Sequence, residues 1–206
     1  MANPPSDEAI RSFPPVMAID SCSIWNVLCS KTLTGAAKTN GHHFMLAEYV
    51  QYECLVKRRS SPPTQIDIDM QSRLRVELEQ KIHFSSHPLD VADLSRLVGD
   101  VGTLNRIDRG EIAALALARK YGNGFMTDDY KARGLGESAL GKTHVRTTPH
   151  LVGHLVYVGR LSDGDIPKIV ADNTAARNPR GRIGEFINEC SGHAFGMRLR
   201  KPPAAK

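Results

Sequence analysis

The stretch DRGEIAALALARKYGNGFMTDDYKAR, residues 108–133, holds a helix start, a helix stop, a short apolar strand and two adjacent acids. Asp108 followed three residues later by Glu111 has the spacing of a capping box, with Ile107 and Ile112 placed as a hydrophobic staple, so a helix should begin here. It runs through IAALALARK with Ala and Leu on every side, which predicts tight packing on a neighbouring layer, and stops at Gly122-Asn123-Gly124. Phe125, Met126 and Thr127 read as a brief buried strand, Asp128 and Asp129 close it, and YKAR opens another helix. Open parallel sheets use this order of strand, acid and helix to present groups in the crevice beyond their strand ends.

The same unit occurs near the start of the chain. Val16 to Ile19 is a continuous apolar run, the pattern of a strand buried on both faces, and Asp20 ends it before the helical segment SCSIWNVLCSKTL. A lone acid in that place is first of all an N-cap. Gly35 to His43 reads as a loop, whose His42-His43 pair has no third ligand nearby and is expected to be exposed. Phe44 to Ala47 reads as a second strand and EYVQYECLVKR as a helix carrying Glu48 and Glu53. Glu48 suits the helix start, where the dipole favours an anion, whereas Glu53 lies mid-helix among apolar neighbours and needs another reason. A polar linker, KRRSSPPT, follows. Met70, Leu74, Leu78 and Ile82 then mark an amphipathic helix that ends by Pro88, and Leu94 to Leu104 mark another. Lys142 to Thr147 reads as a strand, and TPHLVGHLVYVGRL and GDIPKIVADNTAARN as helices. Strands alternating with helices predict a three-layer α/β/α sandwich with a central, mostly parallel sheet. The expected organisation is a flexible leader over 1–15, a domain over 16–175 and a basic C-terminal extension over 176–206.

Composition fits one well-buried domain with extensions: 206 residues, 41% hydrophobic, 24% charged. The formal net charge of +5 is uneven, because residues 177–206 carry seven Lys or Arg against two Glu. A basic tail beside an acid-lined site suits a polyanion, and equally suits a solvated terminal segment. Cys22, Cys29, Cys54 and Cys190 form no CxxC pair and read as reduced thiols, and no apolar run is long enough to span a bilayer, so a cytoplasmic protein is expected.

Asp20 and Asp128-Asp129 thus close apolar strands, Glu111 opens a helix and Glu53 follows the start of another, positions that one crevice can gather. Carboxylates packed together raise one another's pKa unless a divalent cation neutralises them, and magnesium or manganese suits hard oxygen ligands. These residues resemble the PIN-domain nucleases, most of all the branch that includes VapC-type toxin ribonucleases. VMAIDSCSIWNVL matches the family's first acid at Asp20, LAEYVQYECL its second at Glu53, GEIAALALA its third at Glu111, and FMTDDYKAR its fourth at Asp128 and Asp129. The resemblance covers roughly residues 16–173. It implies a metal-dependent endoribonuclease using Mg2+ or Mn2+, with Asp20, Glu111, Asp128 and Asp129 as ligands and Glu53 positioning or deprotonating water. It also implies RNA as substrate, with an antitoxin protein and a second copy of the chain as candidate partners and no membrane. The rival reading is a non-catalytic nucleic-acid-binding or scaffold protein of the same fold. An aspartyl-phosphate phosphatase would want a second acid where Cys22 stands, and a dinucleotide-binding enzyme would want GxGxxG after a strand; neither is present.

Overall fold

The computed structural model describes residues 5–57, 62–101, 107–176 and 182–200. Five parallel strands form one sheet in the order β3-β2-β1-β4-β5: β1 (Val16–Ile19), β2 (His43–Ala47), β3 (Phe84–His87), β4 (Gly124–Met126) and β5 (Val145–Arg146). The central strands are apolar and buried on both faces, as a parallel sheet between two helical layers requires. Helices α2 (Ser21–Leu28), α3 (Lys31–Thr39), α4 (Glu48–Leu55) and α5 (Gln65–Gln80) follow β1 and β2, and α6 (Val91–Val101), α7 (Arg109–Tyr121) and α8 (Tyr130–Leu140) flank β4. Helix α9 (Thr148–Tyr157) packs against α2, α3 and α11 (Ile183–Leu199), which also receives α10 (Asp165–Ala176). The result is the expected α/β/α sandwich.

The chain builds outward from β1 to β3 on one side, then crosses back to add β4 and β5 on the other. The order therefore reverses between β1 and β4. Beyond the strand ends at such a reversal the connections diverge and leave a crevice, the usual ligand position in open α/β sheets. Asp20 follows one of these two strands and Thr127-Asp128-Asp129 the other.

Several local expectations are corrected. Residues 7–11 form a short helix, α1 (Asp7–Arg11), capped by Ser6, and Ile10 and Phe13 are buried, so the described part of the leader is anchored by apolar side chains that the flanking prolines obscured. Residues 35–39, expected as loop, are helical, because Ser30 caps the helix they complete and Leu33 and Ala37 give it a buried face that tolerates Gly35. His42 is buried, not exposed. The polar strand FSSH was missed, since Ser85, Ser86 and His87 carry no apolar signal and sit at the sheet edge. The C-terminal segment is no simple extension over its described part: Ile187, Cys190, Ala194 and Met197 line the buried side of α11. Residues 58–61 of the linker, Leu104 and the tail's Arg177, Arg180, Lys201 and Lys206 lie outside the described residues.

Candidate functional site

Asp20 is almost wholly buried, at 1% exposure, and its two oxygens have separate tasks. Oδ1 accepts the Ser23 N–H at 2.7 Å, capping α2, while Oδ2 accepts the Thr127 hydroxyl at 2.5 Å. The Thr127 oxygen in turn accepts the Asp129 N–H at 3.2 Å. One hydroxyl therefore joins the ends of β1 and β4 and brings Asp20 and Asp129 to the same side of the molecule. Asp129 caps α8, with Oδ1 accepting Lys131 N–H and Ala132 N–H at 2.7 and 2.9 Å.

Glu111 reaches back at the start of α7 to accept the Asp108 N–H at 3.1 Å, so its capping role is real. That role leaves the side chain facing the other acids. Its carboxyl is pushed up to about 7, first by burial and then by the negative charges of Asp129, Asp20 and Asp108. Asp20 is raised to about 6, chiefly by burial and further by Asp128, against the lowering bonds from Thr127 and Ser23. The N-caps of α2 and α8 are thus joined through Thr127, and Glu111 in the first turn of α7 feels the charge of both, each acid standing where the helix dipole favours it. The dipoles do not remove the mutual repulsion of Glu111, Asp129 and Asp20.

Glu53 approaches this group from α4. Its Oε1 accepts Lys57 Nζ at 2.8 Å, and its carboxylate lies so close to Gly110 that a Cβ there would overlap Oε2. Glu53 is thereby seated beside the residue preceding Glu111, which supplies the reason its mid-helix place lacked; Glu48 is exposed. Asp128 is differently used. Oδ1 accepts the Thr148 N–H at 2.8 Å, and Oδ2 accepts both the Thr148 hydroxyl at 2.5 Å and Asn26 Nδ2 at 2.8 Å. Both oxygens are occupied in tying β4 to α9 and α2. Thr127 was legible as the residue that closes the strand in FMTDDYKAR, whereas Asn26, Thr148 and Gly110 were not singled out from sequence. Of these, only Asn26 had a signal, as a polar residue on the apolar side of α2 between Ile24 and Val27.

The donor set is that of a hard divalent cation: carboxylates only, carrying unrelieved negative charge. Asp20, Glu111 and Asp129 fit such an ion in chemistry and charge; Asp128 carries three hydrogen bonds against two on Asp20 and is the more heavily committed to structure. Among the described residues, however, no three Asp, Glu, His or Cys side chains are gathered at ligating geometry. Among the hollows formed by the described residues are one of about 540 Å³ between α3 and α5 and one of about 320 Å³ beside β5, and neither of these is lined by these acids. Among the described residues no helix is long and apolar enough to cross a membrane.

Set against family models, curated proteins and solved structures, the chain matches none.

Proposed function

We propose that this protein is a divalent-metal-dependent nuclease acting on RNA, built on a PIN-like sandwich. The observation that carries the reading is the Thr127 bridge, which sets Asp20 and Asp129 side by side at the reversal of strand order with Glu111 in electrostatic reach of both. Asp20, Glu111 and Asp129 would hold Mg2+ or Mn2+. A bound ion of that kind supplies charge for a phosphodiester and its leaving oxygen and acidifies water.

The chain's own residues then divide the remaining work. Thr127 fixes the Asp20 carboxylate so that its orientation costs nothing at the moment of binding. Glu53, held by Lys57 and seated at Gly110, accepts the proton of the attacking water. Asp128 is a positioning residue, because its bonds to Thr148 and Asn26 fix the turn from which Asp129 projects. In the resemblance-borne extension of this reading the protein is the toxin of a toxin–antitoxin pair, held in check by an antitoxin protein.

A second reading has one observation in its favour: the acids are not gathered at ligand distance among the described residues, as expected of a non-catalytic RNA-binding or scaffold protein that keeps the fold. One assay separates the two. RNA incubated with manganese and wild-type protein should be cut, and Asp20→Asn should leave it intact; cutting by both proteins, or by neither, removes the nuclease reading.

A further inference from the structure

We propose that the hollow beside the edge strand β5 is a binding site for a single phosphate group, held by Arg146 and His150 from within and by Arg133 and Lys142 at its mouth. Arg146 is only 2% exposed. Its Nη1 donates to the Lys142 and Val145 carbonyls at 3.0 and 2.9 Å, and Nη2 to the Ser12 carbonyl at 3.0 Å. These bonds fix the guanidinium without neutralising it. Its Nε has no hydrogen-bond partner; Glu8, on the same lining, acts on the guanidinium through its charge, and no hydrogen bond joins the two among the described residues. A buried cation in that condition is costly unless an anion joins it.

His150 lines the same hollow and repeats the pattern, since its buried Nδ1 also lacks a partner. Burial and the charges of Arg146 and Arg133 hold the ring to about 4, so it is neutral at pH 7 and has a proton site to gain if an anion arrives. Arg133 and Lys142 add two further cations on the lining, and the hollow, at about 320 Å³, is roomy enough for a small anion. Glu8 and Glu137 stand on the same lining and would repel the continuing charges of a nucleic-acid strand. With three cations against these two acids the lining keeps a single net positive charge, which suits one phosphate better than a run of them, either on a free small molecule or at the end of an oligonucleotide. Arginine suits it by presenting planar donors that match phosphate oxygens.

The test uses the full chain and inorganic phosphate. At constant ionic strength, phosphate should shift the His150 ring resonances, raise that histidine's pKa and raise the melting temperature, with Arg133→Ala and Lys142→Ala each binding about tenfold more weakly. These two variants lie at the mouth and test the site without the risk to folding that attends Arg146→Met. Unmoved His150 resonances, or equal phosphate affinity in wild type and both variants, overturns the proposal. A short RNA carrying a 5′-phosphate, compared with its 5′-hydroxyl counterpart, then assigns the source. Stronger binding of the phosphorylated RNA than of inorganic phosphate supports the strand end, and equal binding of the two RNAs supports a free small molecule. Asp20→Asn should leave phosphate binding unchanged, so this site and the proposed nuclease centre can fail separately.

Discussion

Burial has opposite consequences in two parts of the sandwich. Where β1 and β4 end, it raises Asp20 to about 6 and Glu111 to about 7, so both acids favour their protonated form when folded. Where α9 packs against α1 and the start of β2, it lowers His42 and His150 to about 4, so both rings favour the neutral form. Desolvation is the leading cause in all four, because a low-dielectric surrounding penalises whichever form is charged. The histidines escape that penalty at neutral pH and the acids do not. His42 meets neutral partners on one side, with Asn40 Nδ2 3.2 Å from its Nε2 and 3.4 Å from that of His154 and Phe13 packed on both rings, while its Nδ1 has no hydrogen-bond partner. Above pH 7 Asp20 stays charged on two neutral donors, the Ser23 N–H and the Thr127 hydroxyl, with Glu111 in electrostatic reach. The proposed cation would relieve that charge.

Asp20→Asn breaks the comparison most severely. RNA cleavage in manganese should be lost, while the amide Oδ1 still caps α2 and Nδ2, a donor where the carboxylate oxygen accepted, makes Thr127 Oγ1 the acceptor. Stability should move the other way. The folded Asp20 carboxyl titrates near 6 against about 3.9 unfolded, so the folded state binds more protons between those values and stability falls as pH rises through that window. Below pH 4 the cost is absent, and above pH 6 it is complete, on the order of 2–3 kcal/mol. Denaturant unfolding should therefore show the variant more stable than wild type at pH 7.5 and level with it at pH 4; a variant less stable at both pH values would mean the carboxylate is satisfied where it lies.

Adding the cation tests the same charge from the other direction. Manganese at about 100 times its dissociation constant should stabilise the folded protein by about 2.7 kcal/mol at pH 8. The gain should shrink as pH falls past 7 and then 6, where protons compete for Glu111 and Asp20. Equal stabilisation at pH 5 and pH 8 would place the ion elsewhere.

The histidine side should tilt stability in the contrary sense. With folded values near 4 and unfolded ones near 6.5, His42 and His150 leave the unfolded state holding more protons between those limits, so stability rises with pH there and is lost as pH falls from 6.5 to 4. His42→Gln should flatten that rise by on the order of 3 kcal/mol, apart from a constant packing loss. An unchanged slope would show that His42 is already charged, or solvated, in the folded state.

The parts of this arrangement that could be read from sequence are those with local causes. Asp20 and Asp129 each close a short apolar strand and open a helix, and Asp108 with Glu111 has capping spacing, so the strand ends and the acids were legible together. What remained hidden depends on partners far along the chain. Asp128 differs from Asp129 only because Thr148 and Asn26 meet it, 20 and 102 residues away. His42 is buried because α9 brings His154 and α1 leads to Phe13. The strand FSSH follows its neighbour β2 through backbone pairing, which its own side chains do not announce. Gly110 looks like an ordinary weak point near a helix start until the Glu53 carboxylate is found against it.

That contact gives the mildest and most discriminating test. In an open helix, Gly→Ala stabilises by up to about 1 kcal/mol, since alanine loses less backbone freedom on folding. At Gly110 the new methyl would overlap Glu53 Oε2, the far end of a flexible side chain, which can swing away by giving up its pairing with Lys57. That surface-edge pair contributes little to stability, so the two effects should nearly cancel, with net stability within about 1 kcal/mol of wild type. Cleavage should respond quite differently, because the displaced carboxylate can no longer take a proton from the attacking water. Gly110→Ala should slow RNA cleavage by as much as Glu53→Gln, and the double variant should be no slower than either alone. Full activity in Gly110→Ala beside an inactive Glu53→Gln would show that Glu53 works from some other position. Independent, multiplying losses would show that Gly110 acts through something other than Glu53.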